Sequence, residues 1–218
     1  MFFTQPRLGV LNRESNSYLE ASGKGLNVAA ALYAQGIVST AIVPLGGPLG
    51  EVMRGMLDGV PFHLLIVEIE GSSRINTKVT DNDSGEMTEF NGRGAQLSIT
   101  ELTDCSTLVM EGLVADNTVV LSGSLPPGAP PETYRDLIEN IQNQGAKVVV
   151  DSSGEPLKLA LAAGPDLVKP NQQEAEELLG KPLTTFGDAV SAVRNISEQG
   201  AKEVILSLGK KGVLFLDD

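Results

Sequence analysis

From residue 118 onward the chain repeats one unit: a short, almost continuously apolar run, a turn rich in Gly, Ser, Asp or Asn, and an amphipathic stretch. Strands are expected at 118–122, 147–150, 166–169, 203–208 and 212–216, and helices at 131–144, 156–163, 172–179 and 187–199. Apolar strands separated by whole helices have two faces to bury and no hairpin to join them. They therefore imply a parallel sheet with helices on both faces, an α/β fold. The pattern extends upstream, with a helix from Lys24 to about Gln35, a β-branched strand at 39–45, a helix at about 51–57, a strand at 62–69 and a helix from Ile99 to about Gly112 capped by Ser98 or Thr100. Residues 74–80 and 86–90 depart from it, because they alternate polar and apolar around Asn82-Asp83-Ser84-Gly85, the mark of a hairpin with one wet face. The polar segment 1–21 carries short strands at about 7–12 and 17–20.

Open parallel sheets bind ligands where their strands end, so the residues leaving each strand should be chemically distinctive. Strand 118–122 runs into Gly123-Ser124-Leu125-Pro126-Pro127-Gly128, strand 147–150 into Asp151-Ser152-Ser153-Gly154, strand 166–169 into Pro170-Asn171-Gln172-Gln173-Glu174, and strand 203–208 into Gly209-Lys210-Lys211-Gly212. Taken singly, each is a strand-to-helix turn with Asp151, Ser153 or Asn171 as a cap; their recurrence at every strand end points to a ligand. The turn Ser22-Gly23-Lys24-Gly25-Leu26-Asn27, which runs straight into a helix, adds an anion site: glycines for close backbone approach, unpaired helix N–H groups and the Lys24 ammonium. The alternative is an ordinary glycine-rich helix start packing Val28, Leu32 and Tyr33. No Walker A loop and no dinucleotide Gly-x-Gly-x-x-Gly occurs in the 218 residues.

With 28 acidic against 16 basic residues and a formal charge of −12, the chain has no electrostatic footprint for nucleic acid or an anionic membrane. A small molecule is the expected partner. The sequence has one histidine, His63, in an expected strand; on that count His-based triads and His-ligated metals are not expected, and acid–base chemistry falls to carboxylates. The one cysteine, Cys105, excludes a disulfide framework and reads as a small buried hydrophobe. No apolar run approaches the roughly 20 residues of a membrane span and the N-terminus has no signal-peptide core, so a cytoplasmic protein is expected.

Six stretches, in order, resemble the ribokinase-like (PfkB) sugar kinases, in the branch that phosphorylates hexose phosphates: Gly23-Lys24-Gly25-Leu26-Asn27-Val28-Ala29, Ser73-Arg74-Ile75-Asn76, Ser122–Gly128, Asp151-Ser152-Ser153-Gly154, Lys169–Glu174 and Ser207-Leu208-Gly209-Lys210-Lys211-Gly212. The resemblance covers nearly the whole chain and implies ATP-dependent, Mg²⁺-assisted phosphoryl transfer to a sugar-phosphate hydroxyl. Arg74–Lys78 with Thr88–Asn91 favours fructose 1-phosphate as acceptor, giving fructose 1,6-bisphosphate, over tagatose 6-phosphate or fructose 6-phosphate. By the same resemblance Gly23, Lys24, Gly25, Asn27, Arg74, Asn76 and Ser124 would hold the sugar phosphate. Lys169, Asn171, Glu174, Ser207, Leu208, Gly209, Lys210, Lys211 and Gly212 would hold ATP, and Asp151, Asn171 and Glu174 would order the metal through water. Strands from about 7–21 and 72–94 would form a small β lid over the sugar, a surface on which the family pairs two subunits. Two family motifs are absent, an early Asn-Pro-x-x-Asp and a late Gly-Ala-Gly-Asp that carries the general base; Asp217-Asp218, at a strand end, is no substitute for a base on a helix. The sequence therefore reads as the middle of such a kinase, either an enzyme with a truncated record or an inactive fragment. A non-enzymatic sugar-phosphate sensor would share the turns but has no need for the Asn171–Glu174 metal pattern.

Overall fold

The computed structural model describes residues 1–217; Asp218 lies outside them. Five strands form the main sheet in the order β10-β9-β8-β7-β6: Thr118–Ser122 (β6), Lys147–Asp151 (β7), Leu167–Val168 (β8) and Glu203–Ser207 (β9) run parallel, and Val213–Leu216 (β10) folds back antiparallel on β9. A second sheet pairs Thr40–Leu45 (β2) in parallel with His63–Glu68 (β3). A third joins Phe2–Phe3 (β1), Asn76–Asp81 (β4) and Met87–Asn91 (β5), the last two as the expected antiparallel hairpin. The α/β class, with largely parallel sheets, is the one the alternating pattern implies.

Seven helices complete the described residues: Lys24–Ala34 (α1), Gly47–Met56 (α2), Ile99–Glu111 (α3), Thr133–Asn143 (α4), Gly154–Ala162 (α5), Gln172–Leu179 (α6) and Phe186–Glu198 (α7). Three start with a capping box, in which the cap side chain accepts from the N3 amide and the N3 carboxylate accepts from the cap amide: Ser98 with Glu101, Asn171 with Glu174, and Thr185 with Asp188. The main core lies between the β6–β9 sheet and α4–α7. Val148, Val150, Val168, Val204 and Leu206 are fully buried along with Ile138, Leu157, Leu161 and Ile196 from the helices, while the intervening Val149 and Ile205 are only half-buried. That alternation is the pleat of a sheet covered more deeply on one face than the other. A smaller cluster of Leu26, Ala29, Ala41, Leu45 and Leu57 holds α1 to the β2–β3 pair, and α1 also packs against β6.

Two local expectations are corrected. The strands expected at 7–12 and 17–20 do not form, and the N-terminal strand of the third sheet is Phe2–Phe3; segment 7–21 contributes only an isolated bridge from Asn16 to Phe2. The alternation there is too short and too polar to outweigh the pairing open to the two aromatic residues, one of which packs on Tyr18. Helix α2 starts at Gly47 rather than near Glu51, because Pro48 occupies its first turn, where the missing N–H costs nothing.

Candidate functional site

The carboxyl ends of β6, β7, β8 and β9 lie along one edge of the main sheet, and the first turn of α1 faces them. A Cβ on Gly25 would sit 3.4 Å from Ser122 Oγ at the end of β6, so glycine lets α1 approach that edge closely. Gly23 is different: its φ of 177° is extended backbone and a Cβ there would meet nothing within 4 Å, so the space beside it is open. The Lys24 side chain crosses from α1 to the main sheet. Its Nζ donates to Asp151 Oδ1 at 2.8 Å and to Glu174 Oε1 at 3.4 Å, while Lys169 Nζ lies 3.1 Å from Asp151 Oδ2. Two ammonium groups and two carboxylates thus form a charge-balanced cluster drawn from α1, β7, the end of β8 and α6.

Asp151 and Ser152 are the buried polar residues of the described chain. Burying a carboxylate is costly unless it is paired, and both Asp151 oxygens face ammonium groups. Burial alone would push the Lys24 ammonium down, but the hydrogen bond and charge of Asp151, with the charge of Glu174, outweigh it and hold the group above its ordinary value. Lys24 is therefore a cation throughout the physiological range. Below the cluster, the Gly123 carbonyl accepts from Tyr134 Oη at 3.0 Å and Ser152 Oγ at 3.1 Å, which fixes the turn that leaves β6. Desolvation, with the Asp151 charge, pushes the Tyr134 phenol up to about 12, so it stays a donor.

Arg74 stands apart from Lys24. It leaves the segment before β4 and its Nη1 reaches toward Ser124 Oγ at 3.5 Å. Asn76 is used inside the hairpin, where its Oδ1 accepts from Gly92 N at 3.2 Å, and Asn27 Oδ1 accepts from Ser22 Oγ at 3.4 Å. Asn171 and Glu174 are tied by their capping box, leaving Glu174 Oε1 to face Lys24. Ser207 N donates to the Pro170 carbonyl, and Leu208 N to the Gly212 carbonyl, so the Gly209–Lys211 turn closes on itself beside α6, with Lys210 and Lys211 exposed. His63 is exposed at the start of β3 opposite Thr40, the far end of its sheet from these turns.

Two features of the site escaped sequence reading. Gly46-Gly47, at the exit of β2, is locked to the base of the hairpin: Gly46 N donates to Ser73 Oγ at 3.2 Å, Ser73 N donates to the Gly46 carbonyl at 2.9 Å, and Gly47 packs on Ser72. This is what positions Arg74, and a glycine pair at the exit of β2 was the available signal. The second is a cavity beside the 209–211 turn, lined by Leu183, Thr184, Thr185, Phe186, Leu208 and Lys211 among others, which is assembled from segments distant in sequence.

The profile described as pfkB family carbohydrate kinase matches residues 3–218. The chain belongs to the PfkB family of carbohydrate kinases. It is 40% identical over 200 residues to the ATP-dependent 6-phosphofructokinase isozyme 2 of Escherichia coli K12, covering 91% of this chain and 64% of that protein. It is 35% identical over 208 residues to the 1-phosphofructokinase of Bacillus subtilis 168, covering 95% of this chain and 67% of that protein. The structure superposes on that of phosphofructokinase-2 from Escherichia coli in complex with fructose-6-phosphate with a TM-score of 0.90 at 37% identity, over 100% of this chain and 72% of that one. The chain thus spans about two thirds of the length of the curated relatives it matches.

PfkB membership implies a nucleotide and Mg²⁺, and the donor set can be tested against the ion. Among the described residues no three His, Cys, Asp or Glu side chains form a metal cage. Asp151 and Glu174 are hard oxygen donors joined through Lys24. Mg²⁺ keeps several waters and takes one or two carboxylates plus substrate phosphates, so this pair fits an ion held largely by its nucleotide.

Proposed function

We propose that the protein carrying this chain transfers the terminal phosphoryl group of MgATP to a hydroxyl of fructose 1-phosphate, giving fructose 1,6-bisphosphate. The observation that carries the reading is the convergence of Lys24, Asp151, Lys169 and Glu174 on one edge of the sheet, with the Ser207–Gly212 turn on one flank and Arg74 and Ser124 on the other. Phosphoryl transfer demands positioning and charge neutralisation more than covalent chemistry. Lys24 and Lys169 supply positive charge toward the transferring phosphate, and the Ser207–Gly212 backbone holds the nucleotide. Arg74 and Ser124 hold the sugar phosphate at the Gly23–Asn27 turn, with Asn76 shaping the hairpin beside it. Asp151 and Glu174, with Asn171 orienting Glu174, hold Mg²⁺ through water, and the ion, when bound, draws negative charge off the phosphates.

The sheet of β1, β4 and β5 acts as a lid whose closure excludes water from the phosphates. The exposed Phe90 of β5, with the exposed Ile75 just before β4, supports pairing with a second copy, which sedimentation of the protein against a Phe90→Glu variant tests: equal mass for the two would refute pairing there. A reaction that consumes ATP belongs in the cytoplasm, where ATP is supplied.

Fructose 6-phosphate is the second reading, favoured by the 40% identity to a 6-phosphofructokinase. A coupled assay of the full-length protein across fructose 1-phosphate, fructose 6-phosphate and tagatose 6-phosphate decides. The highest kcat/KM is expected for fructose 1-phosphate; a higher value for either other sugar replaces the acceptor, and no turnover on any of them refutes the class.

A further inference from the structure

Each carboxylate of the charged cluster has one oxygen fixed by its own scaffold and one held by Lys24. Asp151 Oδ2 faces Lys169 at 3.1 Å and Glu174 Oε2 accepts from Asn171 N at 2.8 Å, whereas Asp151 Oδ1 and Glu174 Oε1 share the single Lys24 ammonium. Lys24 is the one side chain that bridges the two, and its place between them is the place a hydrated divalent ion would need. Lys24 arrives from α1, an element of the other half of the site, and its side chain is 43% exposed, so it is free to swing away without unfolding anything.

We propose that Lys24 is an internal counter-cation for the Asp151–Glu174 pair, filling the divalent-ion position in the ligand-free protein and leaving it only when an anion at the Gly23–Asn27 turn draws the ammonium off. A dication and an ammonium cannot occupy one position, so the ion is kept from Asp151 Oδ1 and Glu174 Oε1 while Lys24 holds them, whereas Lys169 stays on the outer oxygen, Asp151 Oδ2. The protein without ligands therefore binds free divalent ions poorly, and the ion enters with a phosphate-bearing molecule. Metal loading is in this way conditional on anion arrival, through one side chain that spans the cleft.

The inference rests on Asp151 and Glu174 being the divalent-ion side of the site, and its test uses Mn²⁺ alone, without nucleotide or sugar, so that its failure leaves the phosphoryl-transfer reading standing. Mn²⁺ binding is measured by calorimetry and by the paramagnetic resonance of the free ion, for the wild type, Lys24→Met and Lys24→Gln. Thermal melts confirm that each variant is folded; the partial exposure of Lys24 makes folding of both expected. Both variants are expected to bind Mn²⁺ at least about tenfold more tightly than the wild type. Adding Glu174→Gln to Lys24→Met should remove that gain, which locates the ion at the pair. A merely structural role for Lys24 has no means of tightening metal binding. Mn²⁺ affinity unchanged or weakened in both folded variants would overturn the proposal, as would a gain that survives Glu174→Gln.

Discussion

Replacing Gly46 by alanine should cost stability and loosen the sugar side of the site together. An added Cβ would lie 2.1 Å from the Ile69 carbonyl oxygen, 2.3 Å from that of Gly71 and 2.7 Å from Ile69 Cγ1. The two closest neighbours are backbone atoms, and the gap falls more than an ångström short of the about 3.5 Å optimum for non-bonded heavy atoms. Because no flexible side chain tip can yield, the cost should reach the upper end of the overpacking range, about 3 kcal/mol. Backbone strain adds nothing, since Gly46 has a φ of −163° that any residue adopts. Restricting the unfolded chain returns about 0.4–1 kcal/mol. The net loss, about 2 kcal/mol, corresponds to a Tm lowered by about 4–8 °C for a domain of this size. The displaced strand end also carries the Gly46–Ser73 hydrogen bonds, so affinity for fructose 1-phosphate should fall with it while ATP affinity holds. Differential scanning calorimetry and binding calorimetry read the two effects. Gly55→Ala, in α2 with nothing within 4 Å of the new Cβ, is the control and should raise Tm. A Gly46→Ala protein that melts at or above the wild type would refute the steric argument.

Two other expectations follow from single contacts. Arg74→Ala should weaken fructose 1-phosphate binding at least about tenfold, since a charge-assisted contact is worth about 1.5–3 kcal/mol, with ATP binding little changed; calorimetry showing the reverse would mean that the two sides of the cleft are assigned the wrong way round. Burial alone would raise the Asp166 carboxyl, but the Lys202 ammonium, the Val148 amide and Gln142 outweigh it and hold the carboxyl below its ordinary value. A depressed carboxylate contributes stability that is present above its unfolded value of about 3.9 and lost as pH falls through the folded value. Asp166→Asn should therefore destabilise at pH 7, with an effect that starts to shrink only as pH falls below about 4 and fades as the folded carboxyl itself takes up its proton, which urea unfolding at a series of pH values measures; a pH-independent difference would rule out the linkage.

The strand–helix alternation was legible because it follows from burial of short apolar runs, a property local to each run. The five turns, at 22–27 and at the four strand exits, were legible for the same reason. What the sequence left hidden depends on where a side chain goes after it leaves its turn. Lys24 and Arg74 both read as cations awaiting the sugar phosphate, yet Lys24 crosses to Asp151 and Glu174 while Arg74 turns to Ser124. That choice is set by the packing of α1 against both β2 and β6, which no window of residues records. The N-terminal segment misled for a different reason: a strand of two residues is held by its partner β4 and has almost no pattern of its own.

The fully buried large side chains fall, apart from Leu45, between Ile138 and Leu206, whereas the first hundred residues rest on a much smaller cluster. Parallel neighbours in the main sheet are also consecutive along the chain, each joined to the next by a crossover that carries α4, α5, or α6 and α7. The two banks of the cleft therefore differ in how readily they open: one belongs to the most slowly exchanging part of the molecule, the other to a part whose amides exchange through cheaper, local excursions. A ligand that touches both banks ties the loose one to the firm one. Its binding should appear in hydrogen exchange as protection spread over α1, β2 and β3, far beyond the residues it contacts, with β7 and β9 scarcely altered.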